Sequence, residues 1–429
     1  MGLNDLLRER EEAGQPIRLG LVGAGQMGRG MISQMERMMK GIRAMAVADI
    51  AVDRVISAYK EAGVSSDDLV VTSDAKVANE ALQEGKRVAT RYATLLPRLA
   101  PVEVVVDASG VPEVGARVAF DSILNRKHVV MLNVETDVTV GYLLRSMADA
   151  AGVVYTVSAG DEPGATKELY NFAQAMGFRI VALGKGKNNP LDREATPDKL
   201  AAEAESKKMN PKMLCAFVDG TKTMVEMTAL ANATGLLPEK RGMHGPTATV
   251  EDLPRIFSLK SQGGILEREG VVDYVLGSVA PGVFAVVTTD QSAIIEDLQY
   301  LNVGPGPNWV FYRPYHLANL ETPLSAARAV LLGETTIATV QKPVAETIAV
   351  AKRDLKAGEK LDGIGQYTFY GLIEKASVAA EQNLLPLGLA QGAVMQSDVV
   401  KGEAIRYDQV ELDYNSTIVH LRAIQDRMD

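Results

Sequence analysis

The chain has 429 residues, enough at roughly 150 residues per domain for two or three domains with ordinary cores, which excludes a single small module. With 47% hydrophobic, 23% charged and 5% aromatic residues, neither a disordered chain nor a fibrous repeat fits. A net charge of −9 repels a phosphate backbone, so no nucleic acid and no anionic membrane is expected as a partner, whereas a small acidic substrate needs only a local group of Lys or Arg. The one cysteine, Cys215, has no partner for an internal disulfide, and the four histidines show no zinc spacing. The N-terminal residues alternate in charge without an apolar core, and the longest uncharged stretches, such as 274–289, are broken by Gly and Pro. These features lead to the expectation of a cytoplasmic protein without a membrane span.

In chain order, short apolar runs alternate with amphipathic ones, the pattern of a parallel sheet flanked by helices. The spacing predicts strands at 17–23, 44–50, 102–109, 128–134 and 153–159, with helices between them at 27–40 and 140–150. A helix opened by Pro163 runs to 178, followed by a strand at 179–186. The region 184–334 is mixed: a nearly apolar helix at 219–234, a hairpin at 271–289, a Gly/Pro-rich loop at 302–314 and a helix at 323–332. In the last 80 or so residues Asp354-Leu-Lys-Ala-Gly358-Glu359-Lys-Leu361 recurs as Asp398-Val-Val-Lys-Gly402-Glu403-Ala-Ile405. Paired Gly-Glu turns before an apolar position predict a compact β-rich module. This module resembles the SAF (β-clip) domain.

Gly23-Ala-Gly25-Gln26-Met27-Gly28 is a G-x-G-x-x-G run that leaves a predicted strand and opens a predicted helix, and Asp49 ends the next strand. In that setting Gly23 allows the tight turn, Gly25 the approach of a pyrophosphate to the helix N-terminus, and Gly28 close helix-strand packing. Asp49 would accept from ribose hydroxyls, which favours NAD, while Arg54 nearby suits a 2′-phosphate. Ser109, Gly110 and Asn133 lie at strand ends where an open α/β sheet binds ligands and are read as cofactor contacts. Glu135 and Asp137 fit either that role or helix capping.

Three segments concentrate polar groups for chemistry. Asp161 and Glu162 at a helix start either compensate the helix dipole or hold a divalent metal, Mg or Mn. Lys185, Lys187 and Asn188 form either an oxyanion or phosphate cradle or a solvated loop. On the 219–234 helix, Lys222 and Glu226 continue a stripe with Ala229 and Ala233. A charged pair on so apolar a helix is read as catalytic, with a structural pair as the alternative.

With these residues in view, residues 15–335 resemble the homoserine dehydrogenase-like oxidoreductases. The resemblance is carried by the glycine fingerprint, the Asn133 segment and the Asp219-Gly220 helix entry. Homoserine dehydrogenases carry an Asp and a Lys four residues apart on that helix; here Lys222 and Glu226 reverse the charge order. Adding the tail, the whole chain resembles the deoxyxylulose phosphate reductoisomerase-like enzymes, to which the segments Arg241-Gly-Met-His244-Gly-Pro246 and Gly304-Pro-Gly-Pro-Asn-Trp309 also point. The resemblance implies an α/β chain with a Rossmann domain at 1–160, returning near 323–345, an α+β catalytic and dimerisation domain at 161–322, and a SAF-like domain at 346–429. It further implies NADPH as hydride donor with NAD as the alternative, a divalent cation, a homodimer or higher homo-oligomer, and conversion of 1-deoxy-D-xylulose 5-phosphate to 2-C-methyl-D-erythritol 4-phosphate in isoprenoid precursor synthesis. Lys222 and Glu226 would then be catalytic, and Lys185, Lys187, Asn188 and His244 would hold the phosphorylated substrate. Two other readings stay open: a dehydrogenase of an unphosphorylated hydroxy acid or sugar alcohol, and a non-catalytic nucleotide sensor.

Overall fold

In the computed structural model, which describes residues 2–428, the chain forms two compact units, each built from separate stretches of sequence. The first comprises residues up to 161, then 317–338, then the chain from 416 onward. Its centre is a sheet of seven strands: β1 (Ile17–Val22), β2 (Ile42–Ala48), β3 (Leu69–Val71), β4 (Arg87–Thr90), β5 (Val104–Asp107), β6 (His128–Met131) and β7 (Tyr155–Val157), in the order β3-β4-β2-β1-β5-β6-β7. All six pairings are parallel. The central strands are apolar runs buried on both faces, as a helix-covered parallel sheet requires. The five strands expected from the sequence are present, with ends shifted by a few residues. Strands β3 and β4 are not expected from the sequence, because Leu69-Val70-Val71 and Val88-Ala89 are brief apolar runs set among charged and polar residues.

Between β1 and β5 the chain reverses its direction of winding, which opens a crevice at the carboxyl ends of these strands. A helix at Ala318–Leu332 lends Ala326 and Ala327 to the core around Leu19, Leu21 and Val106. Beyond it, Ile337 bridges to Val157 at the sheet edge. The terminal helix Thr417–Gln425 is also part of this unit: Glu113 accepts from the hydroxyl of Ser416 and from the amides of Thr417 and Ile418.

The second unit, 162–316 with 339–415, holds a sheet of β8 (Arg179–Lys187), β9 (Val271–Leu276), β10 (Val283–Thr288) and β11 (Asn308–Arg313) in the order β11-β10-β8-β9. The hairpin expected at 271–289 does not form. Strand β8 lies between its two halves, parallel to β9 and antiparallel to β10. The apolar runs of β9 and β10 fit either arrangement, but β8 is the strand with glycines where neighbours come closest. A Cβ on Gly184 would overlap the Asp273 carbonyl, and one on Gly186 would overlap Ala280. The loop at 302–314 contains β11, with Trp309 fully buried.

Helices Glu162–Ala175 and Thr221–Thr234 contribute Ala173, Met224, Met227 and Leu230 to one core of this unit, and Phe257, Leu266 and Phe284 form a second. The tail expected as a separate module over 346–429 is divided. Residues 339–415 belong with this unit because the antiparallel pair β12 (Ala345–Ala351) and β13 (Phe369–Lys375) buries Ile348, Val350 and Ile373 in the core that holds Met224 and Leu230. Two short strands, β14 (Val394–Met395) and β15 (Val410–Glu411), complete it. The internal repeat is reciprocal in space: Leu355 and Val399 exchange both backbone hydrogen bonds, Asp398 accepts from Ala357 N and Asp354 from Lys401 N. No helix of the described residues is long and apolar enough to cross a membrane.

Candidate active site and dinucleotide loop

Gly25 is the N-cap of helix Gln26–Arg37, and the free amides of its first turn open toward the crevice end of β1. Gly23 has φ of +100°, and a Cβ there would come 2.7 Å from the Ala108 carbonyl. A Cβ on Gly28 would overlap the Gly23 carbonyl, whereas one on Gly25 meets no protein atom within 4 Å. Two glycines are thus required by packing and the third faces open space, the combination that fits a dinucleotide pyrophosphate. Gln26 and Met27 are exposed on the same first turn. Asp49 follows β2, and its two oxygens accept from Ala24 N and Ala51 N, each at 2.8 Å. Arg54 is exposed on the next helix.

Asn133, read as a cofactor contact, is 1% exposed and works inside the protein. Its amide donates to the Asp107 carboxylate at 2.9 Å and to the Val111 carbonyl at 3.0 Å, while its oxygen caps the helix Val134–Ala151. It therefore shapes the turn that carries Ser109 and Gly110. Burial pushes the Asp107 carboxyl up to about 6, against the pull of the Asn133 and Ser109 hydrogen bonds. Asp137, read as a cofactor contact or a helix cap, is buried, and its carboxylate accepts from the Tyr155 hydroxyl at 3.1 Å; the cap of that helix is Asn133, and burial raises the Asp137 pKa to about 7.

The second unit holds a buried charge cluster. The Lys185 ammonium on β8 is ion-paired with both Glu162, at the start of its helix, and Glu226, in the middle of Thr221–Thr234. All three side chains are about nine-tenths buried or more. Burial would lower the Lys185 pKa, but the two carboxylates outweigh it and hold the amine charged. Burial raises the Glu226 pKa, and the charge of Glu162 pushes the same way; Lys185 and Lys222 oppose both. His316 Nε2 lies 3.5 Å from Glu162. The expected pairing of Lys222 with Glu226 is thus extended: the direct partner of Glu226 is Lys185, and Lys222, one turn earlier and half-buried, acts on it through its charge.

Lys187, two residues along β8, donates to the carbonyls of Asn189 at 2.7 Å and Phe217 at 2.8 Å. Burial, then the charge of Lys185, lowers its pKa to about 8. Asn188 is exposed at the strand end. His244, by contrast, is built into the scaffold: its Nδ1 is 2.7 Å from Asp273, its Nε2 is 3.2 Å from Glu239, and its backbone amide also reaches Asp273. Asp161 ends the first unit and Glu162 opens the second. Asp161 and Glu162, expected as metal ligands, belong with Glu226 to a group of carboxylates whose ligand atoms lie within 4.8 Å of one another, a donor set that suits a divalent cation, and the Lys185 ammonium pairs with Glu162 and Glu226 of that group.

The role of Lys185 as the hub was not visible from spacing, because β8 and the two helices meet only through tertiary packing. The one available signal was the presence of two lysines in a strand that the pattern made fully buried.

Residues 160–322 match the family model described as "Oxidoreductase DRL, catalytic domain", the segment that carries Glu162, Lys185, Lys187, Lys222 and Glu226. None of the curated proteins compared with the chain matches it. Among solved structures, it is similar to a probable dehydrogenase from Thermotoga maritima, at 13% identity and a TM-score of 0.42, covering 74% of this chain and 90% of that one. It is also similar to a scyllo-inositol dehydrogenase from Lactobacillus casei with bound NAD(H) and scyllo-inositol (13%, TM-score 0.38, 65% and 75%) and to a myo-inositol dehydrogenase from Corynebacterium glutamicum (8%, TM-score 0.41, 74% and 89%). These structural likenesses bear on no residue or substrate of the chain. The match over 160–322 makes that segment similar to the catalytic domain of an oxidoreductase.

Proposed function

We propose that the chain is an NAD(P)H-dependent oxidoreductase, and that Lys222, Glu226 and Lys185 serve its proton transfers. The observation that carries this reading is the Glu162-Lys185-Glu226 cluster: an ion pair this deeply buried adds little stability, whereas a carboxyl with a raised pKa beside two amines is suited to acid-base work near neutral pH. The reduced nicotinamide supplies a hydride when bound. Glu226 in its protonated form gives a proton to the substrate oxygen as the carbonyl becomes an alcohol, and Lys222 steadies the resulting carboxylate. Lys185 stays charged throughout and keeps Glu162 and Glu226 apart from direct repulsion.

The finer reading, carried by the resemblance of the whole chain, is conversion of 1-deoxy-D-xylulose 5-phosphate to 2-C-methyl-D-erythritol 4-phosphate. Lys187 and Asn188, at the end of β8, are the groups proposed to meet a phosphate, since Lys185 is already neutralised by two carboxylates. That neutralisation favours a second reading, a dehydrogenase of an unphosphorylated sugar alcohol or hydroxy acid. Cofactor oxidation measured with the phosphorylated ketose and with its dephosphorylated form separates the two. Turnover confined to the phosphate ester supports the first, and equal turnover supports the second. In either case Glu226→Gln lowers kcat by about 10² to 10⁴ with little change in dinucleotide affinity; an unchanged kcat removes the proton-transfer role.

A further inference from the structure

The turn after β5 leans on the glycine loop, since a Cβ on Gly23 would come 2.7 Å from the Ala108 carbonyl oxygen and 3.3 Å from the Ser109 amide nitrogen. Its shape is fixed by one buried pair, Asp107 and Asn133. One oxygen of Asp107 accepts from the Ser109 amide at 3.0 Å and the other from the Asn133 side-chain amide at 2.9 Å. The same Asn133 amide nitrogen donates to the Val111 carbonyl at 3.0 Å, and the Asn133 side-chain oxygen accepts from Thr136 N at 3.3 Å as the cap of the next helix. Gly115 leaves room for the pair: a Cβ there would lie 2.6 Å from Asp107 Oδ2 and 2.7 Å from Asn133 Nδ2. Asp107 is fully buried, and among the described residues no basic group forms an ion pair with it. The titratable groups that face it are Glu135, at the start of the helix that Asn133 caps, and Tyr155 on β7, whose hydroxyl donates to Asp137.

A proton on Asp107 is incompatible with these bonds. Each carboxylate oxygen faces an N–H, so a proton on either sets donor against donor, and Asn133 can accept from the new hydroxyl only by turning its amide over. That rotation takes its oxygen from the Thr136 amide and its N–H from the Val111 carbonyl. We propose that Asp107 and Asn133 are positioning residues that form a proton-sensitive latch on the cofactor turn: with Asp107 ionised the segment 109–111 is held for the dinucleotide, and with Asp107 protonated it is released, so that cofactor binding weakens on acidification. This role rests on the dinucleotide reading of the glycine loop and adds a control to it. Burial, which raises the Asp107 pKa to about 6, sets the transition just below neutral pH, and the charge of Glu135 pushes the same way.

Calorimetric titration with NAD⁺ and NADP⁺ between about pH 5 and pH 7.5 tests the latch without any substrate, using whichever binds more tightly. Wild-type affinity falls about tenfold over that range, because one pH unit below its pKa Asp107 is ionised in only about one chain in eleven. Near pH 6 binding releases about half a proton, read from the dependence of the binding enthalpy on the ionisation enthalpy of the buffer. Asp107→Asn, shown to be folded by circular dichroism, binds about tenfold more weakly than wild type at pH 7.5 and shows neither the fall nor the release; the 2′-phosphate of NADP⁺ titrates alike with both chains and cancels in the comparison. Glu135→Gln removes a charge that raises the Asp107 pKa, so its midpoint moves to lower pH, which keeps the latch testable if Asp107→Asn does not fold. A wild-type affinity independent of pH, a fall that Asp107→Asn shares in full, or a midpoint unmoved in Glu135→Gln overturns the latch and leaves the dinucleotide site standing. A wild-type chain that binds neither dinucleotide at any of these pH values overturns the dinucleotide reading itself and the latch with it.

Discussion

Gly25 and Gly28 are three residues apart and are glycine for different reasons. A Cβ on Gly28 would overlap the Gly23 carbonyl, while one on Gly25 meets nothing of the protein. Gly25→Val therefore keeps the melting temperature of the wild type and loses dinucleotide binding, because the branched side chain fills the space over the helix N-terminus. Gly28→Val loses the fold of the first unit. Equal loss of stability in both variants, read by thermal melting, contradicts this division. Asp137 supplies a second residue-scale outcome. Its pKa is about 7 in the folded chain, raised by burial, against an ordinary value of 3.8. The protonated form is the one the fold favours, so its contribution is complete below pH 3.8 and is lost as pH rises toward 7, amounting to about 4 kcal/mol at 1.36 kcal/mol per unit. Asp137→Asn keeps an acceptor for Tyr155 and removes the charge. It should leave stability near pH 4 almost unchanged and raise it above pH 7, as measured by urea unfolding across pH; parallel curves for the two chains would rule this out. Sequence reading found the glycines because their spacing is local. It did not find the partner of Asp137, the Tyr155 hydroxyl, which lies on a strand 18 residues away.

At the scale of elements, the helix Thr221–Thr234 is held along its length by the tail. Lys352 Nζ donates to Asp219 at 2.8 Å, to the carbonyl of Ala195 at 3.0 Å and to that of Gln366 at 2.9 Å, and both charged side chains are almost fully buried. Asp219 in turn accepts from Thr221 N. Farther along, Thr221 accepts from Gly371 N, Thr347 donates to Thr228, and the Asn232 amide meets the backbone of Val344 and Ala345. These four grips fix the helix that presents Lys222 and Glu226. Lys352→Met strands the Asp219 charge and costs roughly 3 to 5 kcal/mol. The double variant Lys352→Met with Asp219→Asn regains much of that loss, since no buried charge remains unpaired. A double variant no more stable than the single one would show that the loss comes from packing and not from the charge. The apolar pattern made this helix legible as buried, and its alanine stripe marked the side on which Glu226 falls. The tail's hold on it was not legible, because Asp219 and Lys352 are 133 residues apart. The same distance problem hid the insertion of β8 between β9 and β10, which adjacency in sequence presents as a hairpin.

At the scale of the whole molecule, neither unit is a continuous stretch of chain. The first closes only when residues 317–338 and the helix after Ser416 return to it, and the second includes 339–415. The 44-residue repeat made a compact tail legible, and its reciprocal Asp354 and Asp398 contacts give that tail its own internal order. No motif, however, marks where the tail ends and the closing helix begins. The two readings of the tail differ in what its removal does. An independent module could be deleted at residue 344 with the rest of the chain intact. Here deletion uncovers Met224, Met227 and Leu230, which share a core with Ile348, Val350 and Ile373. It also leaves Glu113 without Ser416, Thr417 and Ile418. Both units lose buried surface at once, and a chain ending at 344 should be insoluble or cleaved rapidly by protease in both. Adding back only 345–415 restores the cover of the second unit, so protection should return to fragments from 162–316 before those from 2–161. A truncated chain that melts at the wild-type temperature would establish the tail as a separate domain and sever its link to the helix that carries Glu226.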